Sequence, residues 1–257
     1  MTYDLSGRVA LVTGASGNIG GAIARKLRGD NAVVVSADLP SHLGQGEDWQ
    51  ALDIVDEASW ATLMDWVRAR HGRLDILVNN AGVAPMGKLE DMQIEDWRRC
   101  MAINVDGAFL GIRTALPLLR ETAAKAGHDA RIVNLASAAS VRASPFSSAY
   151  CISKAAIGML SKAAGIEFAK LGYPVRVNSV HPAAVESDMM DSILQRYSEI
   201  TGGTPIEDLR SGLIATHPFG RLVMPDEVAD AVLFLCSDAA RYLNATELHV
   251  DGGMIAS

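Results

Sequence analysis

The stretch Arg8-Val9-Ala10-Leu11-Val12-Thr13-Gly14-Ala15-Ser16-Gly17-Asn18-Ile19-Gly20 decides the fold of this 257-residue chain. A β-branched apolar run, residues 8–13, stops at a glycine-rich turn, and from Ile19 apolar residues recur at helical spacing to residue 28. The pattern predicts strand, turn, helix. A strand that is continuously apolar, and not alternating, suits a parallel sheet covered by helices on both sides. The glycines permit a tight turn and let backbone N–H groups approach a pyrophosphate at the helix N-terminus.

Outward from this unit the same alternation persists. Further strands are expected at residues 32–37, 49–52, 74–79, 131–136, 175–181 and 247–250. Helices are expected at 57–71, with Asp56 as N-cap and Gly72 just past its end, and at 94–120, 147–171 and 226–236. The expected architecture is a single-domain α/β fold over residues 1–257, a Rossmann-like doubly wound parallel sheet with helices on both faces. Residues 183–221 break the rhythm. Rich in Met, Ser, Thr and Gly, they follow a strand's carboxyl end and read as a substrate lid.

Composition narrows the function. At 49% hydrophobic and 21% charged, the chain has enough apolar side chain for a sizeable core, which excludes disorder. A formal charge of −7 without a basic run argues against nucleic acid. No apolar stretch reads as approaching the ~18 residues that span a bilayer, and the first eight residues lack signal-peptide order. The expectation is a cytoplasmic protein with no membrane partner. Cys100, Cys151 and Cys236 are odd in number and far apart, as expected of thiols in a reducing compartment. The histidines are scattered without metal-ligand spacing, so no metal is expected. A serine hydrolase elbow built on Ser16 would need glycine at 18 and finds Asn18.

Asp38 ends the second strand 24 positions beyond Gly14 and completes the context of a dinucleotide fingerprint. Its carboxylate can accept from both ribose hydroxyls of an adenosine. A 2′-phosphate there would cost about 4 kcal/mol per like-charge pair at an effective dielectric of 20. With no Lys or Arg in the turn, the expected cofactor is NAD. Tyr150 and Lys154 are four apart on an expected helix and share a face, while Ser137 stands 13 residues before Tyr150, just past a strand end. Hydride transfer from an alcohol needs a base for the hydroxyl proton, and an ordinary tyrosine is mostly protonated at neutral pH. The Lys154 ammonium, together with an oxidised nicotinamide, is expected to favour tyrosinate, and Ser137 to orient the substrate oxygen.

With these residues the chain resembles the short-chain dehydrogenase/reductase family over residues 6–253. The resemblance rests on the nucleotide turn, Asn79-Asn80-Ala81-Gly82, Asn104, Ser137, Tyr150 with Lys154, His181-Pro182 and Asp251-Gly252-Gly253. It implies a catalytic tetrad of Asn104, Ser137, Tyr150 and Lys154, with Asn104 holding a water that links the lysine to a proton relay. It also implies cofactor contacts from Gly14, Ser16, Asn18, Ile19 and Gly20, from Asp38 and Leu39, and from Asp53 and Ile54 beside the adenine. Asn80, Ala81 and Gly82 would line the cleft, Tyr150 and Lys154 would meet the nicotinamide end, and Pro182, Val185 and Ser187 would lie at the carboxamide. Asn79, Asp75 and Asn178 would mainly support the sheet.

Two positions depart from the family pattern, Asn18 and Ala183, where glycine is usual. Asn18 is expected to preserve the turn because asparagine tolerates left-handed backbone. The implied function is an NAD-dependent oxidoreductase acting on a secondary alcohol or ketone. Met189, Met190, Ile193, Leu194 and Tyr197, with Pro145 and Phe146, suggest an apolar pocket. The lid and tail look like bacterial members that act on simple or cyclic alcohols and hydroxysteroids, and Arg142 reads as a solvated cation. The alternatives are a 3-oxoacyl thioester reductase of fatty-acid metabolism and a noncatalytic NAD-binding scaffold. A homotetramer is implied, joined through the long helices around Asn104 and Tyr150 and the carboxyl-terminal segment.

Overall fold

A computed structural model describes residues 3–257. Seven strands pair in one parallel sheet: β1 (Val9–Thr13), β2 (Val33–Asp38), β3 (Trp49–Ala51), β4 (Ile76–Asn79), β5 (Ala130–Leu135), β6 (Val175–Pro182) and β7 (Glu247–Val250). Their order is β3-β2-β1-β4-β5-β6-β7. The winding reverses between β1 and β4, which opens a crevice at the carboxyl ends of these strands. The helices are α1 (Asn18–Gly29), α2 (Glu57–His71), α3 (Ile94–Met101), α4 (Gly107–Ala126), α5 (Ser148–Lys170), α6 (Asp188–Ile200), α7 (Ile206–Ala215) and α8 (Pro225–Cys236).

Strand period sorts the core into two layers. Ala10 and Val12 of β1 point to one face, where Ile23 and Leu27 of α1 meet Val228, Val232 and Leu235 of α8. Val9 and Leu11 point to the other, against Trp60 and Val67 of α2, Leu119 of α4 and Phe168 of α5. Both faces are covered, so the central strands β1, β4, β5 and β6 are buried along their whole length, as their continuous apolar sequence requires. α2 begins and ends as expected: Asp56 accepts from the Ala58 N–H at 3.0 Å, and Gly72 adopts φ 67°.

Three expectations change. The helix expected at 94–120 runs on to Ala126 and is interrupted by a π turn, Ala102–Asp106, which joins α3 to α4. An extra residue in one turn leaves composition unchanged and only shifts the phase of the apolar stripe, which a reading of the run as one continuous helix passes over. Residues 183–221 contain two helices, α6 and α7; Met190, Leu194 and Tyr197 fall on one face of α6, a spacing that composition alone conceals. By length and composition the run Ile94–Ala126 is apolar enough to cross a membrane, contrary to the sequence expectation. Its buried residues include Leu110, Leu118 and Leu119, which join the core layer on the α2 face.

Candidate active site

The turn after β1 folds back on itself against the β4 loop. Gly14 has φ 64°, and a Cβ there would come 2.8 Å from Ala81 Cα; a Cβ on Gly20 would come 2.1 Å from the Gly14 carbonyl oxygen. No larger residue fits either place. Asn80 locks the turn from β4: its Nδ2 donates to the carbonyls of Thr13 (2.9 Å) and Gly14 (3.1 Å). Thr13 Oγ1 in turn accepts from the N–H groups of Asn80 (3.0 Å) and Ala81 (3.1 Å). α1 opens into the crevice with Gly17 at its N-cap, no side-chain cap and no acidic residue in its first turn. Its free N–H groups and positive dipole end suit a phosphate.

Asn18 does not take the left-handed backbone expected of it. It begins α1, positive φ within the turn falls on Gly14, and the Asn18 Oδ1 accepts from the Asp188 N–H at 3.2 Å. The side chain thus bridges the nucleotide turn to α6. Asp38 sits at the end of β2, its side chain 12% exposed. Oδ2 accepts from Ser16 N–H (3.0 Å) and Oγ–H (2.6 Å), and Oδ1 from Leu39 N–H (2.8 Å). Among the described residues its neighbour within ion-pair distance is His42, at 3.8 Å. A glycine-walled helix N-terminus beside an anchored carboxylate fits the diphosphate and ribose of a dinucleotide.

The candidate catalytic residues lie on the other side of the switch point. Ser137 follows β5 and caps a short turn, its Oγ accepting from the Ala139 N–H at 3.1 Å. Tyr150 and Lys154, in the first turns of α5, face the same cleft; Lys154 Nζ is 5.8 Å from the Tyr150 ring centroid and donates to the Leu135 carbonyl at 2.7 Å. A side chain at Gly82 would close the space between Asn104 and Lys154, because a Cβ there would come 3.0 Å from Asn104 Oδ1 and 3.4 Å from Lys154 Nζ. Asn104 itself is buried in the π turn. Its carboxamide pairs with both backbone groups of Val83 (2.8 and 2.9 Å) and donates to Ser153 Oγ (2.9 Å).

Burial dominates the electrostatics here. It pushes the Tyr150 phenol above its ordinary pKa, and the Ser137 hydroxyl is the group that pulls it back down. It also lowers Lys154 to about 8. In the chain alone desolvation prevails at Tyr150, with the Lys154 Nζ turned to a backbone carbonyl; the expected shift toward tyrosinate belongs to Lys154 together with an oxidised nicotinamide.

Every residue expected to touch cofactor, together with Ser137, lines one cleft of about 1240 Å³; Asn104 is the exception among the candidate site residues. Ser187 lines it while serving as the N-cap of α6, its Oγ accepting from Met190 N–H. Arg142 also lines it, donating to the Met254 carbonyl at 3.0 Å. Sequence reading gave no role to Thr13, although the residue before the glycine turn was the place to look. It also missed Leu209 and Leu213 of α7, which complete an apolar wall with Met190, Leu194 and Tyr197. A test for helical period within residues 206–215 could have found them.

Residues 14–255 match a family model described as enoyl-(acyl carrier protein) reductase. A 3-beta-hydroxysteroid dehydrogenase of Comamonas testosteroni is 33% identical, over 99% of this chain and 98% of the relative. An NADP-dependent (R)-specific alcohol dehydrogenase of Lentilactobacillus kefiri is also 33% identical, over the full length of both. Among solved structures, the ligand-free aldohexose dehydrogenase of Thermoplasma acidophilum superposes with a TM-score of 0.87 at 31% identity, covering 100% of this chain and 97% of that one.

Proposed function

This chain belongs to the short-chain dehydrogenase/reductase family, and on that premise we propose that it interconverts an apolar, cyclic secondary alcohol and its ketone with NAD as the hydride carrier. Bound in the crevice, the nicotinamide would supply the carbon that accepts or returns hydride. The chain does the rest. Ser137 Oγ orients the substrate oxygen, Tyr150 Oη removes the hydroxyl proton during oxidation or returns it during reduction, and Lys154 binds the ribose and places positive charge near the phenol. Gly14, Gly20 and the α1 N-terminus receive the diphosphate, and Asp38 receives the adenosine ribose.

The observation that carries the reading is the convergence of Ser137, Tyr150 and Lys154 on a cleft whose outer wall is apolar. That wall, with α6 and α7 as a substrate cover, suits a ring of carbon atoms better than a charged chain. The hydroxysteroid relative supports the same class. NAD is preferred here because, among the described residues, Asp38 has His42 and no guanidinium or ammonium group within ion-pair distance to accept a 2′-phosphate. The test follows nicotinamide absorbance with NAD or NADP against cyclopentanol, cyclohexanol, a 3β-hydroxysteroid and, in reverse, an acetoacetyl thioester. Turnover of cyclic alcohols with NAD favoured by about tenfold or more, equivalent to ~1.4 kcal/mol, is expected. Turnover confined to the thioester, or an NADP preference, would overturn the assignment.

A further inference from the structure

His181, at the end of β6, has no solvent exposure and no part in the chemistry above. Its Nδ1 lies 2.8 Å from Ser140 Oγ and 3.3 Å from the Ser137 carbonyl oxygen, and its Nε2 lies 2.8 Å from Ser179 Oγ. Ser140 Oγ also meets the Ser137 carbonyl, at 2.5 Å. A hydroxyl has one proton. A carbonyl only accepts, so the Ser140 proton goes to Ser137, and Ser140 Oγ must accept from His181. Nδ1 therefore carries hydrogen. Ser179 Oγ also has two possible acceptors, Nε2 at 2.8 Å and the Thr246 carbonyl at 3.4 Å, and the shorter contact takes its proton, so the Nε2 lone pair accepts from Ser179.

We infer that His181 is a positioning residue for Ser137, fixing the Ser137 carbonyl directly and through Ser140 so that the Ser137 hydroxyl keeps one orientation toward Tyr150. Both ends of Ser137 are then held, since its Oγ already accepts from the Ala139 N–H. The ring also packs under α5: a Cβ on Gly158 would come 2.9 Å from Glu247 Oε1 and 3.3 Å from His181 Cε1, so the helix carrying Tyr150 and Lys154 rests against the Glu247 carboxylate and the imidazole edge together. The charged and titratable neighbours are Glu247, whose Oε1 is 4.0 Å from Nε2 and 2.7 Å from Lys162 Nζ, and His249, with ring centroids 4.9 Å apart. Burial holds the imidazole near pKa 4, hence neutral at working pH. The inference rests on the dehydrogenase reading for its consequence and on geometry alone for the tautomer.

The test compares two amides. In His181→Asn the amide N–H sits near the position of Nδ1, and in His181→Gln it sits near Nε2. With cyclohexanol and NAD, His181→Asn should retain kcat within about fivefold, whereas His181→Gln and Ser140→Ala should lose about a hundredfold, the scale of a ~1 Å misplacement. NAD affinity and unfolding temperature should be alike in all three. Equal kcat in the Asn and Gln variants, or a loss that tracks unfolding temperature, would overturn the inference. Nitrogen-15 imidazole spectra of the unmodified protein give a readout independent of activity and of variant folding. The His181 ring should be neutral with hydrogen on Nδ1 from about pH 6 to about pH 9; hydrogen on Nε2, or a cation, would refute it. Should the unmodified protein turn over no alcohol, the dehydrogenase reading fails while the spectrum still decides the hydrogen-bond pattern.

Discussion

At Tyr150 two effects oppose one another, desolvation favouring the phenol and the Ser137 hydroxyl favouring the phenolate, and in the free chain desolvation prevails. Under the proposed function, positive charge arriving with the oxidised nicotinamide would make the residue a base, so oxidation should quicken as pH rises and reduction should slow. Tyr150→Phe should abolish turnover and spare NAD binding, measured by fluorescence titration; undiminished turnover would end the mechanism. Lys154 is shifted oppositely, to about 8 against an ordinary value near 10.4. Between those values the unfolded chain binds more protons than the folded one, so stability from this residue rises with pH, and below about pH 8 the buried ammonium is a cost. Lys154→Met should thus be more stable than the parent at neutral pH by about 2 kcal/mol, once ~1 kcal/mol is deducted for the lost Leu135 hydrogen bond. Thermal unfolding near pH 10.5 should find that advantage gone. The Tyr-x-x-x-Lys spacing was visible in sequence, whereas the direction of both shifts depended on packing from residues far along the chain.

Among the elements, the β1 turn and the start of α1 behave as one rigid cradle. Gly20→Ala would force a methyl to 2.1 Å from the Gly14 carbonyl, so the turn must open; a stability loss of about 1 to 3 kcal/mol and at least a tenfold fall in NAD affinity are expected by calorimetry. Asn18 has a different role, since it reaches out of the cradle to the first N–H of α6. Asn18→Gly should weaken that link by roughly 1 kcal/mol and raise KM for NAD about fivefold, with little change in unfolding temperature. A tighter KM would mean that the side chain is a defect. The cradle was legible because strand, glycine turn and helix are contiguous. The link to α6 was not, for 170 residues separate its partners. The π turn holding Asn104 was equally hidden, since it shifts a helix by one residue without altering composition.

On the scale of the whole molecule, one chain leaves Phe109 of α4 and Ile152, Met159 and Ile166 of α5 exposed, the last three spaced by seven residues along one face. Such a stripe favours association with copies of itself. Light scattering should find a tetramer, and Met159→Glu combined with Ile166→Glu should lower its mass while the unfolding temperature of the remaining species stays measurable. A monomeric parent protein would contradict this. What the sequence by itself determined is the alternation of the seven strands with the helices that cover them, the glycine turn, and the spacing that marks Asp38, Ser137, Tyr150 and Lys154 as candidates, because each depends on local periodicity or short spacing. Only the tertiary structure decided that residues 183–221 form two helices over the cleft, that Asn104 is tied to Val83, that Asn18 reaches α6, and that His181 stands behind Ser137. Those outcomes depend on burial and on hydrogen-bond partners contributed by distant segments, and a chain read residue by residue does not reveal which of its polar groups will be shut away from water together.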